Sequence, residues 1–150
     1  MKILVVEDQL SIQEEMKFLL EEFGTVDTAD NGRIGVEMFC IALVQKEPYD
    51  LVFMDIQMPE MDGQEALKMI RQVERDNLDV DLSGMKKMSL VFMLTMLNNE
   101  ANVVEAFFYG ACTDYLVKPI TRKALLAKMK QHKLIEYDGA EVHSWGAWKK

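Results

Sequence analysis

Three short segments, Ile3-Leu4-Val5-Val6, Leu51-Val52-Phe53-Met54 and Leu90-Val91-Phe92-Met93-Leu94, are apolar at every position. A strand that faces water on one side alternates apolar and polar residues, whereas one covered on both faces reads as a continuous apolar run. The three runs therefore predict central strands of a parallel sheet. Thr25 to Ala29 and Asp114 to Val117 are shorter and mixed, as strands nearer a sheet edge are. Between these runs the spacing lengthens: Ile12, Met16, Leu19, Leu20 and Phe23 share one helical face before Gly24. Asn31 can cap a second helix running to about Lys46, ahead of Pro48, and Gln64 to about Arg75 predicts a third, with Ala66, Leu67, Ile70 and Val73 inward. Val103, Val104, Phe107 and Phe108 mark a fourth, ended by Gly110, and Thr121 caps a fifth that carries Leu125, Leu126 and Met129. Strand and helix alternate five times, which predicts an α/β domain with helices on both faces of a parallel sheet, joined by right-handed crossovers.

Bulk properties exclude several function classes. With 150 residues, 49% apolar and 28% charged, the chain has material for one core and fits neither a disordered nor a membrane-embedded protein. Its formal charge of −8 repels nucleic-acid phosphates and anionic lipid, so neither is an expected partner. Cys40 and Cys112 are far apart and suggest buried thiols rather than a disulfide framework. The apolar run after Lys2 is too short for a secretory signal, and a reducing cytoplasm is the expected location. Residues 76–88 are polar and aperiodic, an extended loop before the fourth strand. Residues 133–150, with Trp145 and Trp148 but no apolar stripe, read as a tail behind a domain of residues 1–132.

In an open sheet of this class, ligands bind beyond the carboxyl ends of the strands. Glu7 and Asp8 end the first strand, Asp55 the third, Thr95 the fourth and Lys118 the fifth. Each alone has an ordinary explanation: a solvated or capping carboxylate, a capping hydroxyl, a surface lysine. Together at one rim they make a site. Carboxylates held close repel one another, and a hard divalent cation with oxygen ligands is the simplest way to keep them ionised. Mg²⁺ suits a rim with two or three acids and no His or Cys nearby.

These residues resemble the receiver domain of two-component response regulators, of the single-domain chemotaxis-regulator type, over about residues 2–132. Three segments carry the likeness: VVED at 5–8, MDIQMPEMDG at 54–63 and YLVKPI at 115–120. The resemblance implies a flavodoxin-like fold, a five-stranded parallel sheet in the order 2-1-3-4-5 with five helices on both faces. It implies Asp55 as phosphoryl acceptor, Asp8 as a direct Mg²⁺ ligand, Glu7 as a ligand through water, and the Gln57 backbone carbonyl as a further ligand. Lys118 would pair with one phosphoryl oxygen and Thr95 would hydrogen-bond another. Tyr115 would be the switch aromatic that turns inward when Thr95 moves; taken alone, it reads as a half-buried strand aromatic. The implied donor is a phosphohistidine on a sensor kinase or phosphotransfer protein. The implied readout face is the fourth helix, fifth strand and fifth helix, contacting a downstream protein, with the chain a monomer or weak homodimer.

Some positions depart from the family pattern. The residue after Thr95 is usually small and is Met96 here, which bears on transfer and dephosphorylation rates. Glu7 replaces the commoner Asp, the loop at 76–88 is longer than usual, and one extra residue stands between Gly110 and Tyr115. After the fifth helix 18 residues remain, too few for an effector domain, so output through protein contact or phosphotransfer is expected. The chain is thus expected to be a bacterial signalling switch rather than an enzyme with turnover. Two alternatives remain open. A pseudo-receiver would bind partners without phosphorylation. A metal-dependent aspartyl-phosphate phosphatase would also use a carboxylate nucleophile, but usually with a second acid two residues later, where this chain has Gln57.

Overall fold

All five segments expected to be extended form strands. A computed structural model describes residues 1–77, 87–96 and 112–136. In it β1 (Lys2–Val6), β2 (Thr25–Ala29), β3 (Leu51–Asp55), β4 (Leu90–Thr95) and β5 (Asp114–Val117) make one parallel sheet. The strand order is β2-β1-β3-β4-β5, as expected. The described helices are α1 (Leu10–Leu20), α2 (Gly32–Val44), α3 (Gly63–Asn77) and α4 (Arg122–Gln131). α4 is the fifth helix expected from the sequence. The expected fourth, with Val103, Val104, Phe107, Phe108 and Gly110, lies outside the described residues, as do positions 78–86 of the long loop and Trp145 and Trp148.

Burial on both faces accounts for the unbroken apolar runs. Leu4, Val6, Val52, Met54, Val91 and Met93 pack with Phe39 of α2 and Leu67 and Ile70 of α3. The alternate residues Ile3, Val5, Leu51, Phe53, Phe92 and Leu94 pack with Met16 and Leu20 of α1 and Leu125 and Met129 of α4. Every residue of β3 is buried, so no position in it could be polar without a partner until the strand ends at Asp55.

Local chemistry sets the helix boundaries. Asn31 Oδ1 accepts from Ile34 N at 2.9 Å and Thr121 Oγ1 from Ala124 N at 3.1 Å, the two caps expected from the sequence. Asp62 Oδ1 accepts from Glu65 N at 2.9 Å, and α3 starts just after it, one residue earlier than its apolar pattern predicts. At Gly35 an added Cβ would stand 2.7 Å from Val6 Cγ2, so only glycine lets α2 lie this close to β1.

At the opposite end of the sheet, buried polar groups hold β4 to its neighbours. Arg71 and Glu74 pair at 2.7 Å, Glu74 accepts from Ser89 N, and the Ser89 hydroxyl donates to the Tyr49 carbonyl. No described helix is long and apolar enough to cross a membrane.

Candidate functional site

Parallel register brings the strand ends to one edge. Val6 pairs with Ala29 and Met54, Asp55 with Leu94, and Thr95 with Val117, so the residues that follow β1, β3, β4 and β5 emerge together. Lys118 lies between two of the acids. Its Nζ is 2.9 Å from Glu7 Oε2 and 3.2 Å from Asp55 Oδ1, with its side chain 11% exposed. Glu7 and Asp55 are buried, whereas Asp8 is exposed to solvent. One carboxylate oxygen from each of Glu7, Asp8 and Asp55 lies within 4.8 Å of the others.

Backbone groups hold these acids in place. Gln9 N donates to Glu7 Oε1 at 3.1 Å, and Gln57 N reaches Asp55 Oδ1 at 3.4 Å. Beneath Asp55, Ile56 N donates to Leu94 O and Gly63 N donates back to Ile56 O at 2.8 Å, closing the Met-Pro-Glu-Met-Asp-Gly turn onto β3.

Burial dominates the electrostatics. It pushes the Glu7 carboxyl up to about 7, the Lys118 contact opposing this and the neighbouring Asp55 charge adding to it. Asp55 is likewise raised by burial, with Lys118 pulling against the shift. For Lys118 burial disfavours the ammonium, yet Glu7 and Asp55 together hold its pKa above the ordinary lysine value. Two buried carboxylates thus share a single ammonium, and the third, Asp8, faces water.

The remaining expected residues take distinct places. Thr95 is buried at the end of β4, and its hydroxyl donates to the Met96 carbonyl at 3.2 Å. A cleft of about 100 Å³ opens between Asp8, Asp55, Gln57, Thr95, Met96 and Lys118. Met96, half exposed, forms part of its wall. Tyr115 is not in this cleft: its ring is partly exposed and Lys128 Nζ lies 5.3 Å from its centroid. Lys118 is joined to Pro119 by a cis peptide bond.

A divalent cation with a preference for oxygen fits these donors. Three carboxylates converge, and among the described residues the buried Glu7 Oε2 has no hydrogen-bond partner beyond its ion-pair contact with Lys118. Bringing a second positive charge to this rim would offset the repulsion that burial imposes on the acids. Sequence reasoning overlooked Gln13, which is buried on α1 with its amide against the Glu7 carbonyl. Its signal was available: it neighbours the inward Ile12 and precedes Met16 by three positions, so a polar side chain falls on a buried helical face.

Comparison with known proteins agrees with this arrangement. A profile of the family described as the response regulator receiver domain matches residues 3–130. The chain is 36% identical over 133 residues to hybrid signal transduction histidine kinase B of Dictyostelium discoideum, covering 87% of this chain and 6% of that protein. It is 32% identical to chemotaxis protein CheY of Treponema pallidum, over 85% of this chain and 79% of that one. A solved receiver domain of the Saccharomyces cerevisiae response regulator Ssk1, crystallised with the histidine phosphotransfer signalling protein Ypd1, superposes with a TM-score of 0.72 at 28% identity, covering 87% of each chain. The chain spans half or less of the length of the first curated relatives it matches.

Proposed function

Because the chain belongs to the response regulator receiver domain family of two-component signal transduction, we propose that it is a cytoplasmic phosphoacceptor switch whose acceptor is Asp55. One observation carries this reading: the Asp55 carboxylate stands 3.2 Å from Lys118 Nζ, within 4.8 Å of the Glu7 and Asp8 oxygens, at the floor of an open cleft. Asp8 and Asp55 would hold Mg²⁺ directly, with the Gln57 carbonyl, and Glu7 through water. The ion would supply charge neutralisation and orientation of phosphoryl oxygens.

The chain's own residues do the rest. An Asp55 oxygen forms the new bond to phosphorus as the bond from phosphorus to the donor's histidine nitrogen breaks, the electron pair leaving with the imidazole. Such loose, in-line transfers ask chiefly for positioning and electrostatic support. Lys118, already beside Asp55, moves its ammonium onto a phosphoryl oxygen. Thr95 exchanges its bond to the Met96 carbonyl for one to another phosphoryl oxygen, and that movement opens space toward which Tyr115 can turn. The change biases a two-state equilibrium that a partner reads on β5, α4 and the expected fourth helix. A phosphohistidine on a sensor kinase or a phosphotransfer protein is the donor class.

Treatment with a small acyl phosphate and Mg²⁺ should add about 80 Da, the mass of one phosphoryl group. The adduct should be absent from Asp55→Asn, and its persistence there would move the acceptor elsewhere. A second reading, a partner-binding module that is never phosphorylated, draws on Met96 in the cleft wall. It requires that acyl phosphate leave the mass unchanged while partner binding survives in Asp55→Asn.

A further inference from the structure

Gln13 is 6% exposed, and its side-chain amide points at the acidic loop rather than at solvent. Its Nε2 lies 3.1 Å from the Glu7 carbonyl, 3.4 Å from the Ala29 carbonyl and 3.0 Å from Asp30 Oδ1. An amide nitrogen carries two hydrogens. The two shorter contacts, to Glu7 and Asp30, therefore account for its full donor capacity. Packing alone would favour an apolar residue between Ile12 and Met16, because burying an amide has a desolvation cost unless it is hydrogen-bonded.

The Glu7 carbonyl belongs to the peptide that joins Glu7 to Asp8. Its plane sets the direction in which the Asp8 side chain leaves the backbone. On either side the chain is already tied, by Glu7 N donating to Ala29 O at 3.0 Å and Gln9 N donating to Glu7 Oε1 at 3.1 Å. The Gln13 amide holds the one peptide between these ties, and through Asp30 it joins that peptide to the segment leading from β2 into α2. We infer that Gln13 is a positioning residue for the acidic pair Glu7 and Asp8, acting through the Glu7 carbonyl to present Asp8 to a divalent cation. This rests on the Mg²⁺-dependent reading of the site.

The test is a MgCl₂ titration of the whole chain, read from the Asp8 amide resonance. Gln13→Met preserves length and apolar packing but removes both donors. Its Mg²⁺ dissociation constant should rise about tenfold or more, as is usual when a group supporting a metal ligand is lost. Ser89→Ala, which loses a buried hydrogen bond at the opposite end of the sheet, should lower the melting temperature without moving that constant. Without Mg²⁺, the Gln9 amide should exchange faster with solvent in Gln13→Met. Should Gln13→Met not fold, Gln13→Leu serves the same comparison, since it is also uncharged and apolar and lacks both donors. If wild type binds Mg²⁺ and the Gln13 variant binds it within about twofold as tightly, the positioning role is overturned while the phosphoacceptor reading stands. If wild type binds no Mg²⁺ at all, both fall.

Discussion

The backbone at Gly63 rests against the carbonyl of Asp55: a Cβ at Gly63 would stand 2.1 Å from the Asp55 carbonyl oxygen and 2.9 Å from Ile56 Cα. The start of α3 and the end of β3 can therefore meet only if residue 63 lacks a side chain. The neighbouring groups are backbone and cannot rotate away. Gly63→Ala should destabilise the fold by on the order of 3 kcal/mol, at the upper end of overpacking costs, and lower acyl-phosphate labelling of Asp55. Urea unfolding and intact mass check both; unchanged values would mean that the turn yields freely.

Lys118 should be the counter-ion of the site when no cation is bound. Lys118→Met removes the ammonium from between Glu7 and Asp55. In chelator the loss should be about 3 kcal/mol, because two buried carboxylates lose their partner. Added Mg²⁺ should restore part of that stability, while labelling of Asp55 stays low. Stability equal to wild type in chelator would contradict the shared-counter-ion arrangement, and equal melting temperatures of the variant with and without Mg²⁺ would contradict a cation at this rim.

Asp114 should govern part of the acid sensitivity. Burial by itself would raise its pKa, but hydrogen bonds from His132 and Lys128, at 2.8 and 2.7 Å, hold it below the ordinary 3.8. A lowered folded-state pKa means that the unfolded chain binds the proton more readily, so stability rises with pH across this window. The contribution is complete above the unfolded value and is lost as pH falls through the lowered one. Asp114→Asn should thus be less stable than wild type at neutral pH, with the gap narrowing in acid below that unfolded value. Thermal melts across that range decide; a gap that stayed constant would show that ionisation of Asp114 plays no part.

Met96 should slow traffic through the cleft. It is 50% exposed and contributes to the wall beside Asp55. Met96→Ala should speed both labelling by a small acyl phosphate and hydrolysis of the product, by up to about tenfold, a barrier change of about 1.4 kcal/mol. Stability should change little, since the side chain packs on one side only. Rates that fall in the variant would assign Met96 to holding the donor instead of restricting it.

The strands were legible because their signal is local. β2 and β5 have the bounds that their mixed segments predicted, and β3 and β4 run on from their apolar runs to end at Asp55 and Thr95 as expected, with both side chains buried. Caps at Asn31 and Thr121 were equally legible, since each needs only a side-chain oxygen three residues before the amide it accepts from. Asp62 shows the limit: it starts α3 ahead of the first apolar position, where periodicity has nothing to report.

Which residues would meet at one rim was written in the order of residue types along the chain, because a parallel sheet places every strand's carboxyl end on one edge. The contacts among them were not. That Lys118 meets Glu7 and Asp55 while Asp8 stays in water, that Glu7 is pushed to about 7, and that Gln13 grips the Glu7 peptide all depend on how β1, β3, β5 and α1 are brought together. Periodicity and strand-end chemistry are properties of neighbouring residues, and the amino-acid order determines them directly. Desolvation and ion pairing depend on groups distant along the chain, and only the folded arrangement decides which of them share a low-dielectric space.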